Sequence, residues 1–145
     1  METNFIKKHK DSDTFVIKRS SFFDTPVHLT GNLIVGSGSD FWGDLVVTGF
    51  LELAKGVTVK GSVQAASAII GAYSQINGSI KTEQDCVVLD CARIGGDIIS
   101  GRDVMLRPNI RVGIVDAAGN IEITGKTDVT ELRAGKKIIA RKDLQ

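Results

Sequence analysis

The chain reads as an all-β, single-domain parallel β-helix, a solenoid with three faces and about six coils of 17–18 residues. Three observations predict this. First, a Gly followed by a small polar or acidic residue and an aliphatic one recurs. The copies are Gly43-Asp44-Leu45, Gly61-Ser62-Val63, Gly78-Ser79-Ile80 and Gly96-Asp97-Ile98, with Gly113-Ile114-Val115 a weaker fifth. Second, two more apolar columns keep the same step: Leu51, Ile69, Val87, Val104, Ile121, and Val59, Ile76, Ile94, Val112, Val129. Third, Gly is high at 16, Pro low at 2 and aromatics only 6%, as in a thin, turn-rich β architecture.

Three short apolar pieces per copy make each copy one coil, with a strand on each face and a turn at each corner. Stacked coils pair strand on strand in parallel at ~4.8 Å, so each coil satisfies the backbone of its neighbours. One coil cannot bury its own apolar residues, and stability comes from stacking several. Glycine suits a corner where the chain turns sharply, often with positive φ.

Alternation along a strand assigns inside and outside. On the first face Leu45, Val63, Ile80, Ile98 and Val115 point inward. On the second, Leu51, Ile69, Val87, Val104 and Ile121 are expected inside, with Leu53, Gly71, Leu89, Leu106 and Ile123 beside them. That leaves Ile70, Val88 and Met105 as an outward apolar row bracketed by Glu52 and Glu122. The row is either a lateral interaction stripe or plain β-propensity without a partner. On the third face Val59, Ile76, Ile94, Val112 and Val129 point in, with Val57, Ser74, Ala92, Ile110 and Thr127 beside them.

The solenoid is expected over residues 31–140, preceded by a partly flexible leader at 1–30 and followed by a short basic tail at 141–145. Leu33, Val35 and Phe41 are placed in a truncated first coil, because 36–40 looks too short to hold a second-face strand. Leu132 and Ala134 continue the first face, and Ile138 and Ala140 the second. Open strand edges at the ends are templates for pairing with another chain. Leu33, Val35 and Phe41 at the start, and Leu132, Ile138 and Ala140 at the finish, are therefore the expected self-assembly contacts. The leader either folds over the first coil as a cap or meets a membrane. Phe5, Ile6, Lys7 and Lys8 form the apolar pair and basic cluster for such a contact with an anionic surface.

Chemistry-bearing patterns are few. A formal net charge of +1 argues against a protein that grips nucleic acid over its surface. No apolar run approaches the ~18 residues of a membrane span, and Met1 to Lys10 lacks a secretory h-region, so a cytoplasmic protein is expected. Hexapeptide acyltransferases and γ-class carbonic anhydrases share this kind of repeat, and Ile70-Gly71-Ala72-Tyr73-Ser74-Gln75 resembles it. Those enzymes need histidines on the coils, whereas His9 and His28 both precede the repeat. Cys86 and Cys91 fit packing better than metal binding. No catalytic, cofactor or metal site is expected. A hexapeptide-type enzyme and a β-solenoid binding scaffold are the rival classes.

The Gly-(Asp/Ser)-aliphatic repeat, running through one small domain with short ends, resembles the bactofilins, which are polymer-forming cytoskeletal proteins. The resemblance covers Gly31 to Ala140. It implies a right-handed, three-faced β-helix that polymerises end to end without nucleotide. Met1-Glu2-Thr3-Asn4-Phe5-Ile6-Lys7-Lys8 resembles the family's N-terminal membrane-targeting stretch, implying a place at the inner face of the cell membrane. The flanks differ from that family in not being proline-rich. Phe15, Val16, Ile17, Phe22 and Phe23 also predict a partly ordered leader.

Overall fold

The computed structural model describes residues 13–142 and the strand Ile6–Lys8. Every element in it is a strand. The first, β1 (Ile6–Lys8), is followed by coils that each visit the second, third and first faces in turn. Coil one is β2 (Thr14–Ile17), β3 (Phe22–Phe23) and β4 (Val27–Leu29), and coil two is β5 (Asn32–Val35), β6 (Asp40–Phe41) and β7 (Leu45–Val47). Coil three is β8 (Phe50–Leu53), β9 (Thr58–Val59) and β10 (Val63–Ala65), and coil four is β11 (Ser67–Ile70), β12 (Gln75–Ile76) and β13 (Ile80–Thr82). Coil five is β14 (Cys86–Val88), β15 (Arg93–Ile94) and β16 (Ile98–Ser100). In the last two full coils one long strand covers the third and first faces together: β17 (Val104–Leu106) with β18 (Ile110–Ala117), then β19 (Ile121–Thr124) with β20 (Thr127–Ala134). An eighth coil begins with β21 (Ile138–Arg141).

The expected three-faced parallel solenoid is present, with seven complete coils against the six anticipated. The additional coil comes from the leader. Phe15, Phe23 and Val27 sit one coil below Leu33, Phe41 and Leu45, each by a step of 18. Leu33 and Val35 accordingly belong to the second face, opposite Leu51 and Leu53, and residues 36–39 are a corner between β5 and β6. The solenoid thus begins at Thr14.

The interior is a set of aliphatic ladders. Leu45, Val63, Ile80, Ile98 and Val115 are all buried on the first face, and Val59, Ile76, Ile94 and Val112 on the third, as alternation predicts. On the second face the register differs from expectation. Leu51 pairs with Ala68, Ala68 with Cys86, Cys86 with Val104 and Val104 with Ile121. Ile70 and Val88 are therefore in the core, each 0% exposed, while Ile69 is 39% exposed. Only Ala66 joins β10 to β11, whereas Thr48 and Gly49 join β7 to β8. That shorter corner moves β11 by one residue, and a one-residue slip exchanges the two sides of a strand. The outward row is Ile69, Val87 and Met105, between Glu52 and Glu122.

The recurring Gly-(Asp/Ser) pair has a steric cause. Ser62 N–H donates to Asp44 Oδ1 at 2.8 Å, Ser79 N–H to Ser62 Oγ at 3.1 Å and Asp97 N–H to Ser79 Oγ at 3.0 Å. Each polar side chain leans over the glycine of the following coil, and a Cβ on Gly61, Gly78 or Gly96 would collide with it. These three glycines have ordinary φ, so space and not positive φ selects them. The left-handed corner lies elsewhere, between the second and third faces. Ser20, Gly38, Gly56, Tyr73, Cys91 and Asn109 occupy it in successive coils, all with φ between 58° and 70°. Each donates its N–H to a carbonyl of the next coil.

Candidate functional site: the two ends of the solenoid

The N-terminal end is aromatic. The Phe23 and Phe41 rings stack with centroids 5.1 Å apart, and Phe22 meets Trp42 edge-on at 5.0 Å. Lys60 Nζ lies 4.3 Å from the Trp42 centroid. Coil one covers Leu33, Val35 and Phe41, each 0% exposed. These three are interior residues and not end contacts, which corrects their sequence-based assignment. The inward side chains nearest the opening are Phe15, Phe23 and Leu29, all half-buried against the core. On the second face the edge is occupied by β1, which pairs antiparallel with β2, Ile6 opposite Ile17 and Lys8 opposite Phe15. The backbone of Ile6, Lys7 and Lys8 is thus part of this end, while Phe5 lies outside the described residues.

The C-terminal end is aliphatic, and among the described residues nothing stacks beyond coil seven on its third and first faces. Leu132 is half-buried, Ala140 is exposed and Ile138 is 51% exposed, so all three sit where the sequence places them. The strand β20 is eight residues long, and β18 is its sole strand neighbour among the described residues. Its burial alternates half-buried and exposed, and the alternation reads the same from either end. Thr127, Val129, Leu132 and Ala134 are the half-buried set, and Asp128, Thr130, Glu131 and Arg133 the exposed set. The mirror point falls between Thr130 and Glu131, at the corner joining the third and first faces.

The edge of β20 away from β18 has a definite hydrogen-bonding pattern. Inward residues of the first face donate toward the following coil: Leu45 N–H to Ser62 O, Val63 N–H to Ser79 O and Ile80 N–H to Asp97 O, at 2.8–2.9 Å. On the third face the carbonyls of inward Val57 and Val59 accept from Gln75 and Asn77 of the following coil. The same ladder directs the backbone groups of Thr127, Val129, Leu132 and Ala134 beyond the last coil. Sequence reasoning picked out Leu132 but missed Asp128, Val129 and Arg133. The signal was the alternating polar and apolar order of 127–134, which lacks the glycine that marks earlier corners.

Three arginines at this end are paired with carboxylates. Arg111 Nε lies 3.2 Å from Asp128 Oδ2, and Arg141 Nε lies 3.1 Å from Glu122 Oε1. Arg133 bonds Glu131, and that bond holds the Glu131 carboxyl below the usual glutamate range.

The remaining reactive groups do not gather. Burial, with a smaller contribution from Asp85, pushes the Cys86 thiol up to about 12. Cys91 stands at the left-handed corner, where its hydrogen bond raises the Tyr73 phenol above its ordinary value. His28 is outward and exposed on β4. Among the described residues no cluster of three or more His, Cys, Asp or Glu could hold a metal ion. The chain matches no protein-family model, and neither curated proteins nor solved structures give a match.

Proposed function

We propose that this protein is a non-enzymatic structural element that assembles end to end into filaments through its terminal coils. The observation that carries the reading is the self-complementarity of β20. Antiparallel pairing of two copies about a two-fold axis at Thr130/Glu131 places Val129 opposite the second copy's Leu132 and Thr127 opposite its Ala134. These are the residues whose backbone groups point off the edge, so the facing pairs exchange both hydrogen bonds. Asp128 then faces the second copy's Arg133, and the outer column through the junction runs Arg111, Asp128, Arg133, Asp116 in alternating sign. Opposite charges facing across strands add to such a contact. On the second face β21 stands one strand beyond β19, which places Ile138 and Ala140 at the same end of the rod.

This contact is isologous. A head-to-tail ladder is less well supported, because β1 occupies the edge that the incoming β21 would need. The N-terminal end, with Phe15, Phe23 and Leu29 half-buried, provides the second joint, and alternation of the two joints gives a filament. The resemblance to the bactofilins points to the same role.

Negative-stain microscopy of the purified protein without nucleotide tests the reading. Filaments are expected from the wild type. Leu132→Arg and Ile138→Asp should each remain folded and form only short particles. Fibres that persist in both variants would remove the C-terminal joint from the proposal.

A further inference from the structure

The outer side of the third face is neutral at Thr58 and Gln75 and then becomes strongly cationic. Arg93 and Arg111 stand directly opposite one another on β15 and β18, at the parallel-strand spacing of ~4.8 Å. Like charges placed this way repel and weaken the ladder. Asp128 takes Arg111 Nε on one side. Arg93 has no carboxylate at ion-pair distance among the described residues, and its other neighbour, Gln75, gives its amide to Asn77 at 3.3 Å. Lys126 adds a third cation one coil on, at the corner where Asn109 has φ 65°. These side chains, with Thr127 and Asp128, line a hollow of about 370 Å³. Three cations against one carboxylate is a concentrated charge on a chain whose formal net charge is +1.

We propose that this hollow is an oxyanion site fitted to a phosphate group. Arginine presents a planar fork of donors that grips two oxygens of an oxyanion at once. Two guanidiniums from adjacent strands and an ammonium from the neighbouring corner line the same hollow, and their combined charge suits a dianion better than a singly charged carboxylate. A phosphate held here removes the Arg93–Arg111 repulsion that the empty ladder carries. The hollow lies within one chain and needs no neighbouring copy. The phosphate comes either as a free or small-molecule phosphate or as the headgroup of a phospholipid, since the face is open enough to meet both.

Calorimetric titration with inorganic phosphate, at ionic strength matched by chloride, reads the first source. Saturable binding is expected, weakened about tenfold by Arg93→Gln or Arg111→Gln and unchanged by Arg102→Gln, which lies outside the hollow. Melting curves add an independent sign. Phosphate should raise Tm of the wild type but not of Arg93→Gln, and without phosphate Arg93→Gln should melt no lower than the wild type. Co-sedimentation with phosphatidylcholine vesicles, with and without phosphatidate, reads the second source under the same three variants. Binding in either arm that depends on Arg93 and Arg111, and not on Arg102, supports the site and identifies the source. Absence of binding in both arms, or equal loss in all three variants, overturns it.

Discussion

The two ends of this rod are made by the same ladder and finished differently. At the N-terminal end a strand running the opposite way, β1, closes one edge, and aromatic rings fill the opening. At the C-terminal end an eight-residue strand is left with inward aliphatic side chains half-covered and backbone groups directed off the last coil. A sheet edge is hazardous only when it is long, straight and unpaired. Coil one breaks its edge into the two-residue β3 and three-residue β4. Coil seven runs without interruption from the third face to the first. The difference leaves the N-terminal end covered on its second face and the C-terminal end with one long strand edge that has no partner among the described residues.

The largest test of that contrast moves one apolar residue from an end to the interior. Leu33→Ala should cost about 2–5 kcal/mol of folding stability, read by chemical denaturation, because a cavity opens in a packed core. Leu132→Ala should cost well under half as much in the isolated chain and yet shorten filaments markedly. Equal losses of folding stability would mean that the last coil is as well covered as the second.

A smaller effect is expected at the corners. Gly78→Ala forces the Ser62 hydroxyl aside and should destabilise by about 1–3 kcal/mol. The double change with Ser62→Ala should recover part of that loss, and a double-mutant cycle with no coupling would contradict the steric account.

Charge exchange sharpens the junction itself. Asp128→Arg should weaken assembly by roughly tenfold, since it sets like charges face to face. Asp128→Arg combined with Arg133→Asp should restore much of it, and light scattering follows both. No recovery in the double variant would count against the two-fold register.

Titration separates interior from end in another way. The Cys86 thiol is raised to about 12 from an ordinary value of 9.0. Its neutral form is favoured by folding, so its contribution to stability is complete below pH 9 and is lost between there and pH 12. Cys86→Ala should flatten the alkaline limb of the stability profile. In the native state iodoacetamide should modify Cys91 and leave Cys86 intact, because Cys86 is buried. Glu131, exposed and held low by Arg133, titrates in the opposite sense: its contribution is present above the ordinary glutamate range and fades as pH falls through its lowered value. Arg133→Gln should return that midpoint, followed by NMR, to the usual range.

Much of the fold is legible because a stacked ladder repeats its constraints. Gly61, Gly78 and Gly96 recur since each lies under a polar side chain from the coil before, and Gly113 lies in the same way under Asp97. The aliphatic columns of the first and third faces follow from the same repetition. Ala68 is where the pattern became ambiguous. It is a small residue in an inward column, next to the more hydrophobic Ile69 that faces outward, and the corner before it is one residue shorter. Local hydrophobicity favours the wrong residue there, and only pairing with Leu51 and Cys86 settles the register. Coil one was hidden for a related reason. Thr25 and Pro26 stand where the next coil has Gly43 and Asp44, so the leader lacks the corner signature although Phe15, Phe23 and Val27 keep the spacing of 18.

The amino-acid order alone determined that this chain winds, with what period, and which glycines permit it, because those demands are local and recur in every coil. Tertiary structure decided which coil comes first, which side of the second face looks outward, and how each edge is finished. Those outcomes depend on what lies one strand above or below, and neighbours 17–18 residues away in sequence are brought together only when the coils stack.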